Sequence, residues 1–310
     1  MEAAEAAAAG VASRNASWAL GELEGDGHAP ENLQRGFRSV PYAAPGAKVC
    51  EFNPRCDRYM NVLPYEGTRV RLARGGLGGG DYVNACHVES GPGDLARFSY
   101  IASQGPIEET TDDFWTMVVE QDVKAVVMLC DLVEDMMPKC AKYFPFGLGE
   151  TFETRGFVVE AKAADRAGSG VERRVLEVRP RDGPGEPRRV SHFFYDSWPD
   201  HGTPDSPESM VELAGLVRSR HGGDRVVVHC SAGIGRTGTF CMIDIVLRRV
   251  LGSERALGPG DAEAVRLVHV LRELRSKRLG MVQTPEQFLF AHGAVVLGLR
   301  RAATTTTATT

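Results

Sequence analysis

Short apolar runs separated by turn residues recur along the chain, and they predict strands that alternate with amphipathic helices. Ala125–Cys130 is a continuous apolar run, as expected for a central strand buried on both faces. Phe157–Ala161, Arg174–Val178 and Val190–Tyr195 are joined by turns rich in Gly, Pro and Asp, which favours an antiparallel section. Further strands are predicted at Thr68–Leu72, from Asp81 onward, and at 225–229.

Apolar residues at helical spacing predict helices around these strands. The clearest is Thr111–Gln121, where Thr111 is the expected cap, acids fill the first turn, and Phe114 and Trp115 begin the apolar face. The other predicted helices are Glu31–Arg38, Ser206–Arg218, 239–250, Ala262–Lys277 and Thr284–Leu299. Together these elements predict an α/β (α+β) fold, a mixed β-sheet with helices on both sides.

The two ends of the chain differ in composition from the region between them. Residues 1–29 are rich in Ala and are expected to form a poorly ordered extension, and residues 301–310 form a low-complexity tail. Residues 30–300 carry the periodic apolar pattern and are expected to form one domain. The chain is 43% hydrophobic and 25% charged, which is the ordinary composition of a globular protein.

Charge and cysteine content argue against several function classes. A net charge of −5 with dispersed basic residues gives no reason to expect nucleic acid or an anionic membrane as a partner. No apolar stretch is long enough for a membrane span, and the N-terminus lacks the features of a signal peptide. Seven cysteines without regular spacing or a C-x-x-C pair indicate a reduced chain, so we expect a cytoplasmic protein, and we expect a monomer.

The candidate chemistry centres on residues 226–238, VVVHCSAGIGRTG, which predict a strand, a tight loop and a helix. Such a loop turns several backbone N–H groups toward one point at a helix N-terminus, where an anion binds. Cys230 begins the loop and Arg236 ends it, and the planar fork of the arginine matches two phosphate oxygens. In this positive field we expect a thiolate that attacks phosphorus and forms a cysteinyl-phosphate.

Two other interpretations of this loop remain open at this point. Gly233–Gly238 fits the G-x-G-x-x-G pattern of dinucleotide-binding loops, and Glu254 stands about where an acid would bind the ribose. Against this, three residues separate the strand from Gly233, and no second βαβ unit follows. The second alternative is a buried free cysteine beside a glycine-rich turn, which the C-x5-R spacing disfavours.

A second stretch can supply the proton that hydrolysis of a phosphate ester requires. Residues 198–202 read WPDHG, a bulky anchor followed by a rigid proline, a carboxylic acid, a histidine and a glycine. This composition is typical of a movable loop, and Asp200 on such a loop can protonate the leaving oxygen. Taken alone, Asp200 would be a surface residue in a turn, but beside a C-x5-R loop we favour the catalytic role.

These motifs resemble those of the phosphotyrosine-specific, non-receptor protein tyrosine phosphatases, the cysteine-dependent family, from about residue 30 to 300. HCSAGIGRTG at 229–238 resembles the family's phosphate-binding loop, and WPD at 198–200 resembles its mobile acid loop. Five further segments match in order: Arg58-Tyr59, DYVNA at 81–85, QGP at 104–106, Glu134 with Lys139, and QTPEQ at 283–287. The resemblance implies that family's fold, with a highly twisted mixed sheet.

The resemblance also implies a two-step reaction. Cys230 attacks phosphorus while Asp200 protonates the tyrosyl oxygen. Gln283, with Gln287, then orients the water that hydrolyses the intermediate. Arg236 holds the equatorial phosphate oxygens together with backbone amides of the loop. These amides belong to Ser231, Ala232, Gly233, Ile234, Gly235 and Arg236.

Supporting roles are implied for four more residues. Thr237 donates to the departing sulfur, and His229 acts on the thiol indirectly through the loop. Glu134 pairs with the active-site arginine, and Lys139 lies in the same substrate-facing segment. No metal or other cofactor is implied, since the thiolate, the arginine and the backbone N–H groups take its place.

Substrate choice is implied to follow from the depth of the pocket. Arg58 and Tyr59 are both implied to bind substrate, with Tyr59 stacked on the substrate ring, and a deep slot admits phosphotyrosine but not the shorter phosphoserine. Two residues depart from the family pattern at the substrate-facing rim: Asp57 stands where Asn is usual, and Asn61 where many members carry an Asp that contacts the substrate backbone. His201 could make closure of the acid loop sensitive to pH.

Two other function classes compete with a protein-tyrosine phosphatase. A dual-specificity or phosphoinositide phosphatase usually lacks the Arg-Tyr and QTPEQ segments, and lipid-directed loops often carry lysines where this loop reads SAGIG. A non-catalytic phosphotyrosine-binding scaffold would lack the cysteine, the arginine or the acid, and all three are present. The expected partners are therefore phosphotyrosine-containing proteins or peptides.

Overall fold

The apolar runs of the sequence form the inner strands of one large sheet. The structure, a computed structural model, describes residues 2–25, 28–168, 170–182, 185–199 and 202–304. Within these residues the chain forms a nine-stranded mixed β-sheet flanked by helices, which confirms the predicted fold class. The strands of the sheet follow the order β1-β2-β3-β11-β4-β10-β9-β8-β7, and β5 and β6 form a separate hairpin.

The element bounds locate the predicted segments. The helices are α1 (Glu2–Leu23), α2 (Pro30–Ser39), α3 (Thr111–Glu120), α4 (Glu208–His221), α5 (Gly235–Leu251), α6 (Ala262–Val265), α7 (Leu267–Lys277) and α8 (Pro285–Thr304). The strands are β1 (Arg69–Arg71), β2 (Tyr82–Glu89), β3 (Ser99–Ser103), β4 (Ala125–Met128), β5 (Val133–Glu134), β6 (Met137–Pro138), β7 (Thr151–Glu153), β8 (Phe157–Arg166), β9 (Val171–Pro180), β10 (Arg188–Tyr195) and β11 (Arg225–His229).

The sheet has a parallel centre and an antiparallel wing. β11 pairs in parallel with both β3 and β4, and β4 pairs in parallel with β10. β10, β9, β8 and β7 pair antiparallel in succession. The turns predicted this arrangement for β8, β9 and β10, and β7 is an additional strand that was not predicted. Because parallel strands end at the same edge, the segments that follow β3, β4, β10 and β11 meet there. These four segments include most of the candidate site residues.

Helix α5 is buried along its length, and it carries the tail of the phosphate loop. All residues from 235 to 250 are buried, because α5 packs against α1, α4, α7 and α8. Burial on every face fits such a central position, and the charged residues that the helix buries are paired, as Arg248 is with Asp244. It begins at Gly235, earlier than the start at 239 that the apolar spacing predicted.

The N-terminal segment differs from the poorly ordered extension expected at 1–29. Residues 2–23 form α1, and Ala16 and Ala19 are fully buried against the helical layer. Small side chains let α1 approach α8 and α5 closely, and Ala is the best helix former. The amide of Asn15 is buried and bonds the backbone of Val250, Arg255 and Leu257. At the other end, α8 continues through Thr304, beyond the boundary at 300.

Two further observations bear on the sequence predictions. All seven cysteines are buried free thiols. In the part of the chain that the structure describes, none of the helices has both the length and the apolarity to cross a bilayer.

Candidate active site

The loop after β11 folds over the end of β3, where only glycine fits. Gly233 has φ +71°, and a Cβ there would lie 2.1 Å from the carbonyl oxygen of Ser103. This turn lets the chain enter α5 at Gly235, so that the helix begins beside Cys230. The N-terminus of a buried helix is a favourable place for an anion, because its first N–H groups lack intrahelical partners.

Cys230 lies at the base of this loop with two donors on its sulfur. Its residue is 5% exposed, and the backbone N–H of Gly233 and the hydroxyl of Thr237 each lie 3.3 Å from Sγ. Both donors can stabilise a negative sulfur, which fits the roles expected for Cys230 and Thr237. Thr237 itself is fully buried.

A buried ion pair fixes the arginine of the loop. Nη1 and Nη2 of Arg236 donate to Oε1 and Oε2 of Glu134 at 2.6 and 2.8 Å, and Nη1 also donates to the Leu129 carbonyl at 3.0 Å. Burial alone would lower the pKa of Arg236, but its hydrogen bonds to Glu134 and the nearby acidic groups together outweigh burial, and the pKa is raised. The guanidinium is therefore permanently charged and held in one plane.

The same arginine contacts the loop expected to carry the acid. Nη2 of Arg236 donates to the Pro199 carbonyl at 3.2 Å. Trp198 is buried, packs on Phe290 with ring centroids 5.7 Å apart, and donates from Nε1 to the Gly202 carbonyl at 3.2 Å. Asp200 and His201, which the sequence analysis assigned to this loop, lie outside the described residues.

Two glutamines border the loop from the start of α8. The side-chain oxygen of Gln287 accepts from the backbone N–H of Gln283 at 2.9 Å. A Cβ added to Gly235 would lie 3.0 to 3.1 Å from the amide groups of both glutamines, which shows how closely they approach the loop. Val282 precedes them in the left-handed region at φ 56°, a strained conformation for a β-branched residue, of the kind that clusters at functional sites.

Behind the loop, three buried side chains form a hydrogen-bonded chain. His229 Nδ1 lies 3.2 Å from the Cys230 carbonyl, which can only accept, so Nδ1 carries the proton. His229 Nε2 then accepts from the Tyr143 hydroxyl at 2.7 Å, and Tyr143 accepts from His192 Nε2 at 2.8 Å. Burial lowers the pKa of His229 to about 4, so this histidine is neutral and acts on Cys230 through the backbone carbonyl.

A fully buried arginine that no sequence motif revealed shapes the loop from below. Arg278 donates to the carbonyls of Gly233 and Ala232 at 2.9 and 3.0 Å and to the side-chain oxygen of Asn84 at 2.7 Å. These bonds hold two loop carbonyls away from the anion position. Its carbonyl partners come from a distant segment and leave no local sequence signal.

Arg58 and Tyr59 have different roles in the structure. The Tyr59 hydroxyl lies 2.9 Å from the Ser231 hydroxyl, so this ring borders the loop as expected. The guanidinium of Arg58 instead donates to backbone carbonyls of three residues, Gly105, Pro106 and Pro138. Arg58 therefore anchors its segment and is not among the residues that line the pocket, in contrast to the substrate-binding role that the resemblance implies.

Asp57 and Asn61, the two departures from the family pattern, occupy different places in the structure. Asp57 is 5% exposed and accepts from the Tyr82 hydroxyl, the Asn84 amide and the Asn53 backbone N–H, at 2.5 to 2.8 Å. Its carboxyl group is buried and fully hydrogen-bonded inside the protein. Asp57 therefore does not lie at the substrate-facing rim, where it was expected. Asn61 is exposed and does line the pocket.

These groups surround one open pocket of about 350 Å³. Its lining comprises Tyr42, Tyr59, Asn61, Val62, Glu134, Lys139, Cys230, Ser231, Ala232, Gly235, Arg236, Gln283 and Gln287. Of the predicted site residues in the described ranges, Gly233, Ile234, Thr237 and His229 lie behind this lining and Arg58 beside it. Tyr42 was not anticipated, because nothing in its surroundings in the sequence resembles a motif.

Comparison with known proteins supports the same family that the sequence motifs resemble. A family model described as protein-tyrosine phosphatase matches residues 53–297. The human tyrosine-protein phosphatase non-receptor type 2 is 38% identical over 262 residues, which cover 82% of this chain and 59% of that protein. The human tyrosine-protein phosphatase non-receptor type 13 is 34% identical over 263 residues, covering 80% of this chain and 9% of that protein.

A solved structure agrees with these sequence matches. It is reported as "Structural basis of PTPN18 fingerprint on distinct HER2 tyrosine phosphorylation sites" and superposes with a TM-score of 0.70 at 34% identity, covering 80% of this chain and 84% of that chain. The present chain spans 59% of the length of the type 2 relative and 9% of the type 13 relative, so it corresponds to a part of each.

Proposed function

Since the chain belongs to the protein-tyrosine phosphatase family, we propose that it hydrolyses phosphotyrosine in proteins through a cysteinyl-phosphate on Cys230. The observation that carries the proposal is the convergence of Cys230, Arg236, Gln283 and Gln287 on one pocket. A nucleophile, a phosphate clamp and two water-orienting amides are what two-step phosphoryl transfer needs.

In the first step, the thiolate of Cys230 attacks phosphorus and the S–P bond forms as the bond to the tyrosyl oxygen breaks. Asp200 gives its proton to that oxygen, so that tyrosine leaves as a neutral phenol. Arg236 and the loop amides bind the equatorial oxygens, where charge is stabilised in the transition state. The Arg236–Glu134 pair is already formed, so little reorganisation is needed when the phosphate arrives.

In the second step, water attacks phosphorus and the S–P bond breaks. Gln283, held by Gln287, orients the water, and the carboxylate of Asp200 accepts its proton. The electron pair of the S–P bond returns to Cys230 as a thiolate, which the hydroxyl of Thr237 and the N–H of Gly233 stabilise. Phosphate is released and the starting enzyme is restored.

The pocket walls support phosphotyrosine as the substrate class. Tyr59 borders the loop on one side, and Cys230 lies at its buried base. A phosphate must therefore reach inward past an aromatic wall, which the long tyrosyl side chain can do and a seryl side chain cannot. Residues 30–300 would act as the catalytic domain, as a monomer in the cytoplasm, with no role for nucleic acid.

A substrate panel tests the proposal. One preparation is assayed on a phosphotyrosine peptide, its phosphothreonine counterpart and a phosphoinositide. We expect turnover of the phosphotyrosine peptide only, and no turnover by Cys230→Ser. Comparable rates on phosphothreonine or phosphoinositide would favour the dual-specificity alternative, and residual turnover by Cys230→Ser would exclude the covalent mechanism.

A matched pair of variants tests the assignment of the acid. Asp200→Ala should lower kcat by roughly 10²-fold or more, with the basic limb of the pH profile lost. Asp196→Ala removes an exposed carboxyl group from the same segment and should leave kcat unchanged. If the basic limb survives in Asp200→Ala, another group is the acid.

A further inference from the structure

Three exposed methionines lie on the segments that border the pocket. Met60, Met136 and Met137 are 74%, 93% and 61% exposed. Exposed apolar side chains scattered singly are ordinary, but several near one site mark a surface that another molecule covers. We call these three residues the methionine rim.

The methionine rim is continuous with the pocket through its chain neighbours. Met60 lies between Tyr59 and Asn61, which both line the pocket. Met136 and Met137 lie in the turn and second strand of the hairpin β5–β6, between the pocket-lining residues Glu134 and Lys139. Arg58 Nη1 donates to the Pro138 carbonyl at 3.2 Å and joins the two segments. A substrate peptide that extends from the pocket along these two segments would therefore meet the rim.

Register places Met137 on the pocket-facing side of the hairpin. Glu134 pairs with Met137 across the two strands, and directly opposed residues of an antiparallel pair have their side chains on the same face. The Glu134 carboxylate is bound to Arg236. The side chain of Met137 therefore projects from the face of the hairpin that is turned toward the active-site arginine.

Met136 occupies a position that folding alone would give to glycine. Asp135 and Met136 have φ 46° and 60°, the two left-handed residues of a type I′ turn, whose second position strongly prefers glycine. An unbranched apolar residue here costs conformational free energy and leaves its side chain almost fully in water. Contact with a ligand would explain why methionine is present here despite its left-handed backbone and its exposed apolar side chain.

We infer that the methionine rim receives apolar side chains next to the phosphotyrosine of a protein substrate. The inference rests on the proposed function, because the occupant is the peptide whose phosphotyrosine fills the pocket. Methionine suits this role, since its flexible, polarisable side chain adapts to varied apolar partners. An anionic membrane is a poor occupant, because the chain has a net charge of −5 and the hairpin carries Asp135 at its tip.

The test compares substrates that differ only beside the phosphotyrosine. Peptides with Leu and Met on both sides of phosphotyrosine, the same peptides with Ser, and p-nitrophenyl phosphate are assayed for kcat/KM. We expect the wild type to prefer the apolar peptide by about 10-fold, which corresponds to partial burial of two or three apolar side chains. Met60→Ser/Met136→Gly/Met137→Ser should abolish this preference and leave p-nitrophenyl phosphate turnover within about twofold. Leu148→Ser, a control that removes an apolar side chain 68% exposed outside the pocket lining, should leave the preference intact.

The inference is overturned if the wild type shows no preference, or if the triple variant lowers kcat/KM equally on all three substrates. Affinities for the same peptides with a non-hydrolysable difluorophosphonate, measured by fluorescence polarisation, separate this outcome from failure of the proposed function. A preserved apolar preference in binding supports the rim even if turnover is absent, and equal affinities overturn it. Two other occupants are tested with the same triple variant, a second copy of the chain through concentration-dependent dimers and a membrane through binding to phosphatidylcholine vesicles. If the triple variant abolishes either of these but leaves the peptide preference unchanged, the surface belongs to that occupant and the inference is overturned.

Discussion

The phosphate loop at 229–238 and the hairpin β5–β6 border the same pocket, yet they are built in opposite ways. The loop is held from behind by fully buried groups, among them Arg278 and the chain of His229, Tyr143 and His192. The hairpin exposes its apolar side chains and keeps one buried contact with the site, the Glu134–Arg236 pair. The groups that support the phosphate loop are thus buried, whereas the side chains that we propose contact the substrate peptide are exposed.

Left-handed residues show the same contrast. Gly233 has a positive φ because a side chain would collide with the Ser103 carbonyl, so packing dictates the residue. Met136 has a positive φ at an exposed tip where glycine would fold better. Packing explains the glycine at the first position, and the methionine at the second position is one of the residues that we propose contact the substrate peptide.

The largest expected effect comes from breaking the clamp that joins the two regions. Arg236→Lys keeps the charge but loses the fork, so we expect kcat/KM on a phosphotyrosine peptide to fall by about 10³-fold, in the range found for transition-state donors. Arg248→Lys on the same helix, where the arginine pairs with Asp244 away from the pocket, is the matched control and should affect stability more than kcat. Similar losses of kcat in both variants would show that the effect is general to the helix.

Acid should unfold the protein through the buried support of the loop. Burial lowers the pKa of His229 to about 4, against about 6.5 in an unfolded chain, so the unfolded state binds more protons between these values. The free energy of unfolding should therefore fall as pH falls from about 7 to about 4, by about 3 kcal/mol for this histidine. Burial likewise lowers the pKa of His192, which adds to the loss.

Urea denaturation over this pH range measures that slope. His229→Gln should flatten it, whereas His269→Gln, at a partly exposed position, should not. An unchanged slope in His229→Gln would mean that other groups cause the acid sensitivity.

The smallest expected effect is a change in the free energy of unfolding caused by a substitution at the exposed tip of the hairpin β5–β6. Met136→Gly relieves a left-handed methionine, so the free energy of unfolding should rise by up to about 1 kcal/mol, the left-handed cost less the extra freedom of glycine in the unfolded chain. Met137→Gly, in a strand position with no such strain, should lower stability and is the control. Destabilisation by Met136→Gly would indicate that the methionine packs against the fold.

The local sequence pattern was enough to predict elements whose conformation is determined by residues close to one another in the chain. Strands β4, β8, β9 and β10 followed from apolar runs and turns, and the C-x5-R loop from its spacing alone, whereas the short strands β5, β6 and β7 were not predicted. Contacts between distant segments were not predictable in this way. Arg278 bonds carbonyls more than forty positions away, and Asp57 is satisfied by donors from β2.

Helix α1 illustrates a further limit. Its Ala-rich sequence has little polar and apolar alternation, so nothing in it distinguishes a packed helix from a loose extension. The distinction depends on α5 and α8, against which Ala16, Ala19 and the Asn15 amide are buried. The same holds for Tyr42, whose place in the pocket lining is decided by the fold and not by a motif.

The central claim is that Cys230 carries the phosphoryl group, and trapping that intermediate tests it most directly. Gln283→Ala should slow the second step, so that acid quenching during turnover of a phosphotyrosine peptide accumulates phosphate on the peptide that contains Cys230, as read by mass spectrometry. We predict this adduct in Gln283→Ala and its absence when Cys230→Ser is added. Turnover without an adduct, or with phosphate on another residue, would contradict it.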